Sequence, residues 1–341
     1  MKISTISLFN LNRVDYLLIS IIPILALSLA AFCTNVEALF AIILKLNVIF
    51  LGYHHVIATF TRISFSKKDY QQNKFLTWPL MLIVIAAVTA IIFFVGEWII
   101  ASIYFYWQWF HYTRQSYGIA KKYQKQNKEI PISSLENKIH YGALYLLPLA
   151  GILYRSYQNS STFLSMQLKT FTIPESVWLV TFALAVIFIV LELGLWVYKS
   201  IKGKVNTPFI CYMISHHIIF GVGYLVIENL DYGWLCINIW HNAQYLVFVW
   251  YLNHLRFKNG VQKGYSFISG MSQLKNKSDY IWYCLGISTF VYGALTVSAQ
   301  YASQFTTLPL IVIIFMTINF HHYIVDGIIW KGAFIKKLNK L

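Results

Sequence analysis

Ten apolar stretches, separated by short polar turns, run through this chain from residue 16 to residue 330. They read as 16–33, 38–62, 80–95, 98–117, 139–154, 177–198, 208–227, 234–255, 280–301 and 308–330. Crossing a bilayer takes about 20 apolar residues of helix. The pattern therefore predicts an all-α fold: a polytopic integral membrane helix bundle of about ten transmembrane helices. The fifth stretch is short and contains Pro148. With 58% hydrophobic and 11% charged residues, a soluble domain of this length is excluded. No Pro- or Ser-rich linker interrupts the 341 residues and no internal repeat is evident, so residues 1–341 read as a single integral membrane domain.

The connections test that count. Lys2 and Arg13 precede the first stretch. Arg62, Lys67, Lys68 and Lys74 follow the second, and Arg114, Lys121, Lys122, Lys125 and Lys128 follow the fourth. Lys199, Lys202 and Lys204 follow the sixth. Arg256, Lys258, Lys263, Lys275 and Lys277 follow the eighth, and Lys331, Lys336, Lys337 and Lys340 follow the last. The alternate connections are neutral, acidic or nearly so. Basic residues mark the cytoplasmic side, so both termini are expected there, in a bacterial inner membrane. The formal charge of +15 is thereby assigned to orientation on a membrane and not to nucleic acid. Arg62 and Arg114 read as snorkelling anchors. The start MKISTISLFNLNRVDY predicts no cleavable signal peptide. Cys33, Cys211, Cys236 and Cys284 are scattered without CxxC spacing, which argues against a thiolate metal site or a disulfide framework.

The chemistry lies in histidines inside these apolar stretches. TINFHHYIVDGIIWK, residues 317–331, carries His321, His322 and Asp326, with His322 and Asp326 four apart on one helix face. His54–His55, His111, His216–His217 and His241 lie in other stretches. Counted from the flanking lysines and arginines at about 1.5 Å per residue, these histidines and Glu192 fall in one layer of the cytoplasmic half, with His111 at its shallow edge. Ionisable groups at membrane depth are costly and mark functional sites. A metal centre ligated by His54, His55, His111, His216, His217, His241, His321 and His322 is the expectation. Imidazoles with a few carboxylates and no cysteine motif favour iron. Adjacent helical residues point about 100° apart, so one ligand is expected from each HH pair. Asp326, Tyr245 and Glu192 are the candidates for catalytic or ligand-orienting roles, because a ligating histidine donates its other N–H. Asn242, Gln244, Gln108 and Tyr212 are further acceptors at helical spacing. His140 and His254, near basic residues, read as interfacial.

GYHHVIAT, YWQWFHYTRQSYG, IWHNAQYLVF and HHYIVDGIIWK together resemble motifs of the microbial Brp/Blh β-carotene-cleaving, retinal-forming oxygenases. The resemblance implies multi-span iron enzymes with histidines from separate helices, matched here by His55, His111, His241 and His321, with Asp326 after the last. The chain departs from that pattern at Val56, Thr59 and Tyr245, and it adds His54, His216, His217 and His322. The extra histidines leave room for two metals, as in membrane desaturases and hydroxylases, although the HxxxH and HxxHH boxes of those enzymes are absent.

The expected function is that of an O2-dependent, mono- or di-iron non-haem membrane oxidoreductase. Its substrate would be an apolar lipid or isoprenoid, with a separate electron donor. The alternatives are a bis-histidine haem electron-transfer protein and a proton or metal-ion transporter.

Overall fold

The computed structural model describes residues 13–126 and 132–331. Lys2, Lys128, Lys336, Lys337 and Lys340, used above to orient the chain, lie outside the described residues. The fold is all-α. Among the described residues eleven helices follow in order: α1 Arg13–Asn35, α2 Ala38–Ile63, α3 Lys67–Phe94, α4 Glu97–Gln126, α5 Ser134–Tyr157, α6 Glu175–Ile201, α7 Thr207–Val226, α8 Leu230–Arg256, the short α9 Ser266–Met271, α10 Leu274–Phe305 and α11 Leu310–Ile329. A two-stranded hairpin, β1 Thr162–Phe163 and β2 Met166–Gln167, joins α5 to α6. Each of the ten apolar stretches falls on one of the ten long helices. Seven of these, α1, α2, α3, α6, α7, α10 and α11, are long and apolar enough to cross a membrane. Helices suit that solvent because they satisfy their backbone hydrogen bonds internally.

The chain divides into two compact units. Unit 1 holds residues 1–43 and 105–244, and unit 2 holds residues 44–104 and 245–341. The divisions fall inside α2, α4 and α8.

In unit 1, α5 begins with a capping box. The Ser133 side chain accepts from the Glu136 amide, and Glu136 accepts in return from the Ser133 amide. A Cβ on Gly142 would fall 2.1 Å from the Phe188 ring, so only glycine lets α5 and α6 approach this closely. The approach of Gly233 to the Gly223 carbonyl oxygen, 2.0 Å from where a Cβ would stand, does the same for α7 and α8. Arg155 is buried, and its guanidinium donates to the carbonyls of Gly223, Ile227 and Glu228. Gly223 lies in the last turn of α7, whose carbonyls a helix C-terminus leaves without partners, and Ile227 and Glu228 follow directly after it. The hairpin seats Phe163 between Phe105 and Trp234, and the Leu164 amide donates to Asp231 over 2.9 Å.

In unit 2, the stretch Tyr53–Ile63 of α2 is buried nearly all round. Ile57 packs with Phe257, Tyr265, Ile268, Tyr280 and Cys284. Val56 packs with Tyr292 and Ile318, and Ala58 with Tyr245 and Val249. The expectation that Arg62 snorkels is corrected here: it is 3% exposed, donates to Asn253 over 2.9 Å and lies over the Trp330 ring. Nearby, Arg256 grips Asp69 with both terminal nitrogens, at 2.9 and 3.2 Å. A charge held by a fixed partner has no need to reach the interface.

Candidate metal centre

The buried stretch of α2 follows a π-helical turn, Val48–Gly52. Such turns leave carbonyls out of the α-helical ladder and recur at functional sites. Here one of them holds the first histidine that follows. Nδ1 of His54 lies 3.2 Å from the Phe50 carbonyl. That imidazole is thereby oriented with one nitrogen against the backbone.

His55 faces α11. Its Nε2 lies 3.0 Å from Nε2 of His322, and the two rings meet edge to face. Asp326, one turn on from His322, places Oδ2 3.6 Å from that same nitrogen. Around them is a closed polar ring. Thr59 Oγ1 is 3.0 Å from His322 Nδ1 and 2.7 Å from the Tyr245 hydroxyl, which donates to Asp326 Oδ1 over 2.7 Å. All five side chains are buried. The site thus presents two imidazole nitrogens, with a carboxylate beside that of His322, inside an apolar unit.

That donor set fits a metal ion. At metal–nitrogen distances of about 2.0–2.1 Å, two ligands at a right angle stand about 3 Å apart. The separation of the His55 and His322 nitrogens is 3.0 Å. Two imidazoles with one carboxylate are the ligand types of non-haem iron.

The other histidines of unit 2 are turned elsewhere. Nε2 of His321 lies 2.8 Å from the Leu76 carbonyl, and its ring stacks on Phe60. Of this pair, the member facing His55 is His322, whereas the family resemblance pointed to His321. The two neighbours leave the helix about 100° apart. His254 lies against the Ser272 carbonyl and stacks on Trp250.

Unit 1 carries two separate histidine sets. His111 of α4 and His241 of α8 have ring centroids 4.9 Å apart, with Tyr112 against His241 at 4.1 Å. Asn242 donates to Asn238, which donates to the Tyr112 hydroxyl. Gln108 does not serve His111: its carbonyl oxygen accepts from the Trp234 indole. Gln244 accepts from Tyr212 and donates to the Leu18 carbonyl.

The second set joins α5, α6 and α7. Glu192 Oε1 is 2.6 Å from Nδ1 of His140, and Oε2 is 2.8 Å from Nε2 of His217. His216 turns away, with Nε2 2.9 Å from the Leu144 carbonyl. Sequence reasoning assigned His140 to the interface. The structure buries it instead, because Glu192 is fully buried and needs donors. Thr59 was also missed as a site residue. Its four-residue spacing from His55 was the available signal.

No protein-family model, no curated protein and no solved structure matches this chain.

Proposed function

We propose that the protein is a membrane oxidoreductase that uses non-haem iron and O2 on an apolar lipid or isoprenoid substrate. The metal is held in unit 2 by His55 and His322, with Asp326 beside His322 to orient and tune it. The observation that carries the reading is the pair of buried imidazole nitrogens 3.0 Å apart beside a carboxylate. Burying such groups in an apolar unit without a ligand is costly. An iron ion there would supply an open, redox-active position for O2.

The protein's own residues do the rest. Thr59 and Tyr245 hold His322 and Asp326 in place through the bonds given above. Tyr53 and Tyr292, stacked at 3.5 Å, add aromatic surface beside the histidine-bearing stretch of α2. The surrounding apolar side chains exclude water, which protects reactive chemistry.

The arrangement in the membrane is ten spans with both termini cytoplasmic, in a bacterial inner membrane. The charge alternation supports it. Reporter fusions at residues 70, 125, 202 and 265 are expected to read cytoplasmic, and one outside reading would break the assignment there.

The deciding experiment is metal analysis of the purified protein. Iron bound to wild type and absent from His55→Ala and His322→Ala is the expected result, with His254→Ala retaining it. A folded wild-type preparation that binds neither iron nor any other transition metal would sink the reading.

A further inference from the structure

The His140–Glu192–His217 set in unit 1 has a construction that packing does not require. Helix α6 is apolar, and its only buried residues are Ala185, Glu192 and Trp196. A carboxylate needing one partner would be satisfied by one donor. Here each oxygen meets a different imidazole, from a different helix. Each imidazole also keeps a second nitrogen. Nδ1 of His217 is buried and has no hydrogen-bond partner among the described residues. His140 lines a cleft with Tyr117, Lys121, Gln124, Asn137 and Tyr141. The cleft holds about 10 Å³, room for about one water molecule. With Nδ1 committed to Glu192, the nitrogen that His140 has left for that cleft is Nε2.

We propose that His140 passes protons between the cleft beside Lys121 and Asn137 and the buried Glu192 carboxyl, which His217 steadies at its other oxygen.

The step balances in protons and breaks no other bond. With Glu192 ionised, His140 Nδ1 and His217 Nε2 each donate to one of its oxygens. A proton from the cleft adds to His140 Nε2 while the one on its Nδ1 moves to Glu192 Oε1. One proton enters, the carboxyl holds it, and it returns to the cleft by the same path.

The surroundings suit the task. Lys121 and Tyr117 come from α4, and Tyr141 from α5. Glu136, which acts electrostatically on His140, is paired with Lys199 of α6 at 3.1 Å. His216 of α7 stands beside His217. Lys121 donates to both Gln124 and Asn137, so its charge is held at the cleft mouth. This exchange rests on unit 1 alone and stands whether or not unit 2 binds iron.

The test is infrared spectroscopy of the full-length protein in lipid nanodiscs after transfer from H2O to D2O. The Glu192 carboxyl band is identified as the one lost in Glu192→Gln. If that variant does not fold, a band shifted in Glu192→Asp identifies it instead. The wild-type band is expected to shift as its proton exchanges. In His140→Gln, exchange is expected to slow by about 100-fold or more, the size of effect that a positioned proton-transfer group contributes. An unchanged exchange rate in His140→Gln would overturn the proposal, since protons would then reach Glu192 by another path. So would a wild-type band that does not exchange, or the lack of any protonated-carboxyl band assignable to Glu192. Those outcomes describe a sealed structural contact.

Discussion

The Tyr245 hydroxyl donates to Asp326 over 2.7 Å while standing 2.7 Å from Thr59 Oγ1. One phenol therefore links α8, α11 and α2 within unit 2. Removing it leaves a buried carboxylate short of a donor, which costs about 1.5–3 kcal/mol for a bond to a charged group. Tyr245→Phe is expected to lower thermal stability in detergent by that amount. In a double-mutant cycle with Asp326→Asn, the two changes should be non-additive by about 1 kcal/mol or more. Additive losses would mean that the contact carries no energy.

Metal removal offers a test of unit 2 that needs no substrate. A ligand at about 100 times its Kd stabilises the folded state by about 2.7 kcal/mol. Chelation is expected to lower the Tm of wild type and to leave His55→Ala unmoved. Asp326→Asn should weaken metal binding about 10–100-fold, the range for a group that tunes a metal site. Equal chelator sensitivity in wild type and His55→Ala would remove His55 from the site.

The Asp69–Arg256 pair makes a separate prediction about folding. Breaking a buried pair by removing one partner costs about 3–5 kcal/mol. Asp69→Ala is expected to fall in that range by chemical denaturation in detergent. The double variant Asp69→Asn with Arg256→Met is expected to recover most of the loss, because no charge is then left unpaired. A single variant as stable as wild type would show the pair to be solvated.

The hairpin turn is strained in a way that can be relieved. Leu164 and Ser165 both adopt positive φ, at 50° and 64°. Two-residue hairpin turns of this kind favour Asn-Gly because L side chains resist that region. Ser165→Gly is expected to raise stability by about 0.5–1 kcal/mol, the relief of strain less glycine's entropy in the unfolded chain. A loss of stability would mean that the Ser165 side chain has a role of its own.

Much of this fold was legible in the sequence, because lipid-facing helices announce themselves by long apolar runs. Helices α4, α5 and α8 were also foreseen as helices, yet they fall outside the seven most apolar. For α4 and α8 the reason lies in their interior faces, where Gln108, His111, Asn238, His241 and Asn242 replace aliphatic residues. The histidines themselves were legible as a set. What could not be read was which nitrogen each ring presents, since that depends on carbonyls such as Phe50 and Leu76 that no side-chain pattern records. The His140–Glu192 contact joins residues 52 positions apart, and nearby lysines made His140 look interfacial. Arg62 misled for a similar reason: its partner Asn253 sits 191 residues away.

The π-turn at Val48–Gly52 gives the helix local slack in chain length. A π-turn holds one residue more than an α-turn. Deleting one residue from that turn would let the helix close into a regular α-helix, and everything after it would keep its direction, because the lost residue is the extra one in the revolution. His55 would still face His322. The regular part of α2 before the turn has no such slack: a deletion there would rotate His55 by about 100° and carry it away from its partners. Deletions between Ala38 and Asn47 should therefore be tolerated far less well than a single deletion within Val48–Gly52.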